Sequence, residues 1–313
     1  MISSDHAAST PAVHSLDRFA IVVPDIAKAQ HFFSGFGIGV EENANGLAIR
    51  AAASNTPSGF IFEGHSKKLH HLSFGIYEAD AAAFAERVQQ MGVSRLDPPA
   101  GLSSDGLWFR DPEGNLIELR IAEKTSPDAK MPVSHVSSAP GSAGATRRSM
   151  APKATPRRLS HVLLFSRDVL AQARFYCEVL GLRLTDHSAD IIAFLHAPHG
   201  SDHHVLAFAK SGGPGFHHSS WVVSSIDEIG LGAMQMAEAG FPAGWGLGRH
   251  VIGSNYFHYV RDPWGSWSEY TCDLDYVPKG MRWQAQDYPV EDAVYVWAPA
   301  MPEDFIVNHE LTA

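Results

Sequence analysis

The feature that most restricts this chain is that it repeats itself. Leu159-Ser160-His161-Val162-Leu163-Leu164-Phe165 restates Leu16-Asp17-Arg18-Phe19-Ala20-Ile21-Val22, and Asp168 stands where Asp25 stands. Arg174-Phe175-Tyr176 and Leu180-Gly181-Leu182 follow, as His31-Phe32-Phe33 and Phe36-Gly37-Ile38 do in the first half. Further on, Phe216-His217-His218-Ser219 answers Leu69-His70-His71-Leu72. The run from Arg261 to Glu269 answers Arg110 to Glu118 with no residue gained or lost. Repetition on this scale means one supersecondary plan used more than once. Each half is expected to hold two strand–helix–strands units.

The local signals support that plan. Leu16 to Val23 is β-rich and stops at Pro24-Asp25. Asp25 caps a predicted helix over about 26–36, with Ile26, Ala29, Phe32, Phe33 and Phe36 on its apolar face and Gly37 as its stop. Strands follow to about Phe62, and a second helix is predicted over about 79–91. Asp111-Pro112-Glu113-Gly114 and Asp262-Pro263-Trp264-Gly265 are tight turns between strands, because Pro presets φ and Gly relieves the turn. Between residues 123 and 156 the apolar period disappears into Ser, Ala, Pro and basic residues. The expected organisation is therefore 1–122, a linker 123–156, 157–273, and a tail 274–313. The tail carries Tyr276, Trp283, Tyr288, Tyr295, Trp297 and Phe305. It is expected to wrap the second half and close one mouth of a cavity, or to meet a neighbouring subunit.

Composition narrows the function classes. A net charge of −10 argues against a nucleic-acid partner or an acidic membrane surface. No apolar run approaches the roughly 18 residues of a membrane-spanning helix, and the first residues lack a secretory pattern. The two cysteines, Cys177 and Cys272, read as reduced thiols in packing positions, hence a cytoplasmic protein. Trp221, Trp245, Trp264 and Trp267 read as core or cavity wall.

The chemistry lies in the histidines and one carboxylate. His161 falls on the first strand of the third unit, His218 on the first strand of the fourth, and Glu269 on the last strand of the fourth. A carboxylate on an inward strand face is costly unless it is paired or metal-bound. If the units curl around a common hollow, these three side chains converge. Two His and one carboxylate leave metal positions open, which suits Fe(II) in oxygen chemistry, although zinc accepts the same set. The first half has Arg18, His71 and Glu118 at the matching positions. Arg18 cannot bind a metal, so the first half should be metal-free, with Arg18 expected to pair with Glu118.

Gly248, His250, Tyr259, Asp262, Pro263, Gly265 and Glu269 together resemble the signature of type I extradiol ring-cleavage dioxygenases of the vicinal oxygen chelate superfamily. One position departs: His258 stands where the family has an aliphatic residue or Phe, and it is read as a change that shapes the substrate pocket. The resemblance spans nearly the whole chain. It implies an α+β fold of four βαβββ modules paired into two homologous half-barrels, with the metal site in the C-terminal one. It implies that His161, His218 and Glu269 bind Fe(II), with Mn(II) accepted by the same set, and that no nicotinamide or flavin is needed. His204, the second member of the doublet His203-His204, would be an acid–base residue beside bound oxygen. His250 and Tyr259 would hydrogen-bond the substrate oxygens. The implied reaction inserts both atoms of O2 into a substituted or polyhydroxylated catechol-type ring next to the diol, giving a muconic-semialdehyde-type product. The implied assembly is a homo-oligomer. The alternative is a non-redox metalloenzyme of the same superfamily, a glyoxalase-like lyase or isomerase or a resistance enzyme.

Overall fold

The computed structural model describes residues 11–134 and 137–311. The first half runs β1 (Ser15–Val23), α1 (Ile26–Gly35), β2 (Gly39–Asn43), β3 (Gly46–Arg50), β4 (Gly59–Glu63), β5 (Lys68–Ile76), α2 (Ala81–Gln90), β6 (Leu107–Arg110) and β7 (Leu116–Ile121). The second runs β8 (Arg158–Ser166), α3 (Val169–Leu180), β9 (Arg183–Ser188), β10 (Ile192–His196), β11 (Ser201–Asp202), β12 (Leu206–Lys210), β13 (Gly215–Val222), α4 (Ile226–Glu238), β14 (Gly244–His250), β15 (Tyr256–Arg261) and β16 (Trp267–Cys272). The tail adds β17 (Tyr276–Val277) and β18 (Tyr295–Trp297).

The repeat is visible in the local chemistry. Asp25 accepts from Lys28 N at 2.8 Å to open α1, and Asp168 accepts from Ala171 N at 3.0 Å to open α3. Both helices run into a glycine at positive φ, Gly37 at 87° and Gly181 at 72°, where other residues are strained. Helix α1 buries Ala29, Phe32 and Phe33, and α3 buries Ala173, Tyr176 and Val179.

One sheet has the order β2-β3-β4-β1-β5-β7-β6 and the other β18-β14-β15-β16-β13-β8-β12-β10-β9. Each is centred on an antiparallel pair, β1 with β5 and β8 with β13, and is flanked on both sides by parallel neighbours. Each sheet curls into a half-barrel, the mixed α+β architecture expected. Three modules carry the full βαβββ set. The second keeps β5, α2, β6 and β7, and its remaining strand shrinks to a single bridge between Leu96 and Trp108. Pro98 and Pro99 follow at once, and proline cannot donate to a ladder.

Both central pairs carry bulges at matching points. Asp17 and His70 are the extra residues in the pairing of β1 with β5; Ser160 and His217 are the extra residues in that of β8 with β13. A bulge re-aims the side chains beside it. One apolar cluster runs through both halves. Phe36 of the first half stacks on Tyr270 of the second at 3.8 Å, and Phe19 lies 5.3 Å from Phe216.

In the first half the expected Arg18–Glu118 pair is replaced by other bonds. Arg18 Nε donates to the Asp17 carboxylate at 2.7 Å, and the two Glu118 oxygens accept from the Ser73 and Ser104 hydroxyls. The bulge at Asp17 brings a nearer carboxylate to the guanidinium, and two serines satisfy Glu118 without it.

Candidate metal centre and active site

Strand register sets up the site. Ser220 of β13 lies opposite His161 of β8 on one side and Glu269 of β16 on the other. Tyr259 of β15 lies directly opposite Glu269. His161, His218 and Glu269 therefore meet, with one ligand atom from each lying within 4.8 Å of the others. His161 Nε2 is 3.3 Å from Glu269 Oε2 and 3.3 Å from His218 Nε2; His218 Nε2 is 3.7 Å from the same oxygen.

These residues fit a divalent cation. Glu269 is completely buried, and its Oε2 has no hydrogen-bond partner, which is costly for a carboxylate oxygen. Two imidazole nitrogens face it. Burial, reinforced by neighbouring His217 and His161, holds His218 well below its ordinary pKa, so it is the neutral form that a metal requires. The other oxygen, Oε1, is taken by Asn255 Nδ2 at 3.0 Å, and that amide also donates to Thr271 Oγ1 at 2.8 Å. Asn255 thereby leaves Oε2 as the free ligand atom. Among the described residues this is the one cluster of three metal-ligating groups. A cavity of about 590 Å³ lies in the first half around Arg18, His71, Trp108 and Glu118. Its position equivalent to His161 is a permanent cation, so we place the metal chemistry in the second half.

The triad opens on a cavity of about 250 Å³ that also receives His204, His250, Asn255 and Tyr259. The ring of His204 lies 4.0 Å from that of His161. Burial is the main cause that holds His204 well below its ordinary range, with the surrounding imidazoles adding to it. His250 bonds Val294 O through Nδ1 at 2.7 Å and Tyr259 Oη through Nε2 at 3.0 Å. Burial lowers His250, partly offset by the Glu269 carboxylate. Burial and then Glu269 raise the Tyr259 phenol well above its usual value.

All six residues singled out from the sequence thus reach one cavity. His258 does not: strand alternation turns it to the opposite face of β15 from Tyr259, against Gly244 and Gly246. There burial pulls its imidazole down to about 4. Of the tryptophans, Trp221 is core, while Trp245 and Trp267 pack with Tyr259 around Phe305 behind the cavity.

Sequence reasoning passed over Asn255, although it lies between His250 and Tyr259 in the signature stretch. It also passed over Asp186, which bonds His203 Nε2 at 2.7 Å. The tail supplies more of the site: Ala293, Val294, Met301, Phe305 and Ile306 line the cavity.

Comparison with known proteins agrees with this geometry. The model of the Glyoxalase/Bleomycin resistance protein/Dioxygenase superfamily matches residues 15–119 and again 158–270. Metapyrocatechase 2 of Cupriavidus necator is 47% identical over 299 residues, covering 96% of this chain and 93% of that one. Among solved structures, homoprotocatechuate 2,3-dioxygenase from Arthrobacter globiformis superposes with a TM-score of 0.76 at 19% identity, covering 96% of this chain and 93% of that one. The Mn(II)-bound glyoxalase from Novosphingobium aromaticivorans gives 0.75 at 22% identity, covering 94% of each chain. At such identities the structural likeness bears on the fold alone. With a twofold family match, a close relative along nearly its whole length and a buried metal triad, the chain belongs to the Glyoxalase/Bleomycin resistance protein/Dioxygenase superfamily, and within it to the extradiol ring-cleaving dioxygenases.

Proposed function

We propose that this protein is an Fe(II)-dependent extradiol dioxygenase that inserts both atoms of O2 into a catechol-type ring beside the vicinal diol, giving a muconic-semialdehyde-type product. The observation that carries the reading is the unpartnered Glu269 Oε2 between His161 and His218, at the floor of a cavity shared with His204, His250 and Tyr259. Iron held there supplies Lewis acidity toward the diol and a redox path to dioxygen.

The protein's own groups handle the protons. Because Nδ1–H of His250 donates to Val294 O, its Nε2 lone pair faces Tyr259. That nitrogen takes a diol proton, and the Tyr259 hydroxyl turns to donate to the oxyanion left behind. His204, buried and neutral on the His161 side, carries a proton across the ring-opening step. Asn255 keeps Glu269 from rotating away from the ligand position.

The cavity also bears on the substrate. Beyond the triad its wall is Leu163, Ile192, Phe194, Ile252, Met301 and Phe305. Lys210, the one Lys or Arg among the described residues on its lining, is paired with Asp190 at 2.7 Å. A ring carrying a small uncharged substituent fits; a carboxylate would be desolvated without a partner. We also propose a cytoplasmic homo-oligomer. Both cysteines are unpaired, and Val290, Val296 and Trp297 of the tail are exposed apolar side chains.

The test is oxygen uptake by protein loaded with Fe(II), and separately with Mn(II), across catechol, methylcatechols and dihydroxybenzoates. Uptake matched one-to-one by ring-opened product, highest with the uncharged rings, is expected. Tight metal binding with no uptake on any substrate would overturn the reading.

A further inference from the structure

Two of the functional histidines of the C-terminal half, His204 and His218, are each the second of a doublet, and the first member of each doublet has an outer anchor. On β13 the bulge at His217 lets both rings of the doublet turn inward. His217 Nε2 lies 2.7 Å from Phe305 O, an acceptor only, so Nε2 carries the proton. Its Nδ1 is then a lone pair, and it faces His218 Nδ1 at 2.7 Å. His218 must donate from Nδ1, which leaves the lone pair of its Nε2 aimed at the triad.

His203 repeats the arrangement with a different anchor. Its Nε2 donates to Asp186 Oδ2 at 2.7 Å, and its Nδ1 faces His204 Nδ1 at 3.1 Å. Asp186 is itself held, since Oδ1 accepts from Gln286 N of the tail at 2.8 Å. His203 and Asp186 are both buried. By the same logic His204 carries its proton on Nδ1, and its Nε2 is the atom left to act.

The first half provides the contrast. His70 and His71 make the same contact, Nδ1 to Nδ1 at 2.7 Å, beside the matching bulge. Among the described residues no acceptor holds the outer nitrogen of His70, and there is no metal triad there. A bulge is therefore enough to create the pair, and an outer anchor accompanies the pair only where the second imidazole has chemical work.

We infer that His217 and His203 are positioning residues: each fixes the tautomer of the histidine that follows it, His217 for metal ligation through the Phe305 carbonyl, and His203 for proton handling through Asp186. Without its anchor, His217 could carry its proton on Nδ1. His218 would then be driven to protonate Nε2, which cannot ligate. The inference rests on reading His218 as a ligand and His204 as the proton carrier.

The experiment compares the wild type with His217→Phe, His203→Phe and Asp186→Asn. Chelator competition gives the Fe(II) affinity, steady-state kinetics separates kcat from KM, and imidazole 15N shifts in metal-free protein report tautomers. His217→Phe is expected to weaken Fe(II) binding by about 10–100-fold and to replace the single His218 tautomer by a mixture. His203→Phe and Asp186→Asn are expected to keep wild-type metal affinity and KM while kcat falls by about tenfold or more. Asp186→Asn covers the case in which the bulkier change disturbs folding, and thermal melts of all three identify it. Unchanged Fe(II) affinity and an unchanged His218 tautomer in His217→Phe would overturn the first arm. Turnover within about twofold of wild type in Asp186→Asn would overturn the second. A wild type that cleaves no catechol would refute the proposed reaction, while the 15N shifts would still decide the tautomers.

Discussion

At the scale of the residue, the site is governed by which polar atoms are left without partners. Glu269 Oε2 is left free because Asn255 occupies Oε1. Replacing Asn255 with Ala strips a donor from both Glu269 and Thr271. We expect a loss of about 1–3 kcal/mol in stability together with weaker metal binding, read by urea titration and chelator competition. The buried imidazoles outside the site give a pH prediction. Burial, the leading cause in both, lowers His71 to about 3 and His196 to about 4, against 6.5 for an unperturbed imidazole. The folded state thus binds fewer protons than the unfolded chain, so this stability is present above pH 6.5 and is lost as pH falls toward 4 and then 3. Urea midpoints of metal-free protein should drop over that window, and His196→Gln should flatten the drop. The meeting of His161, His218 and Glu269 could be anticipated from the sequence because the repeat sets them at corresponding points. Asn255 could not, since a polar residue in a spacer looks like any loop amide until its partner is located. His258 was misjudged for a simpler reason: the residue next to an inward Tyr on a strand faces outward.

At the scale of the element, the sequence was most informative where one side chain does one local task. The caps Asp25 and Asp168 and the helix-stopping glycines Gly37 and Gly181 are such cases. Asp168→Ala should cost about 1 kcal/mol, seen as a fall of a few degrees in the melting temperature with little change in metal affinity. The bulges at Asp17, His70, Ser160 and His217 were not legible. An extra residue in a ladder changes neither composition nor period enough to stand out, and it appears only when both strands are seen paired. Yet these bulges decide what faces inward: in the first half the one at Asp17 diverts Arg18 from Glu118. The second module lost a strand for a reason that was on view, two adjacent prolines, but the repeat argued for a full set.

At the scale of the whole molecule, the two halves and the tail are tied together by buried charge. Lys67 of the first half donates to Phe216 O at 2.9 Å and to the Glu310 carboxylate at 2.9 Å, and Glu310 also accepts from Phe216 N at 3.0 Å. Lys67→Met would leave that carboxylate buried without its cation. We expect a loss of about 3–5 kcal/mol in urea unfolding, with faster metal loss, because Glu310 lies only five residues beyond Phe305. The aromatic content of the tail suggested that it would be put to use, but its path could not be read from residues whose partners lie a hundred positions earlier.

That path has a consequence for how the enzyme comes into being. The three strands that carry the triad, β8, β13 and β16, are all synthesised before the tail, and domains generally fold N-terminal first as the chain emerges. Phe305, whose carbonyl holds His217, is added after all three of them. A nascent chain therefore passes through a stage in which the strands of the triad exist but the cavity is unwalled on one side. Until Phe305 has emerged, His217 lacks its acceptor and the wall that Phe305 gives the cavity is missing.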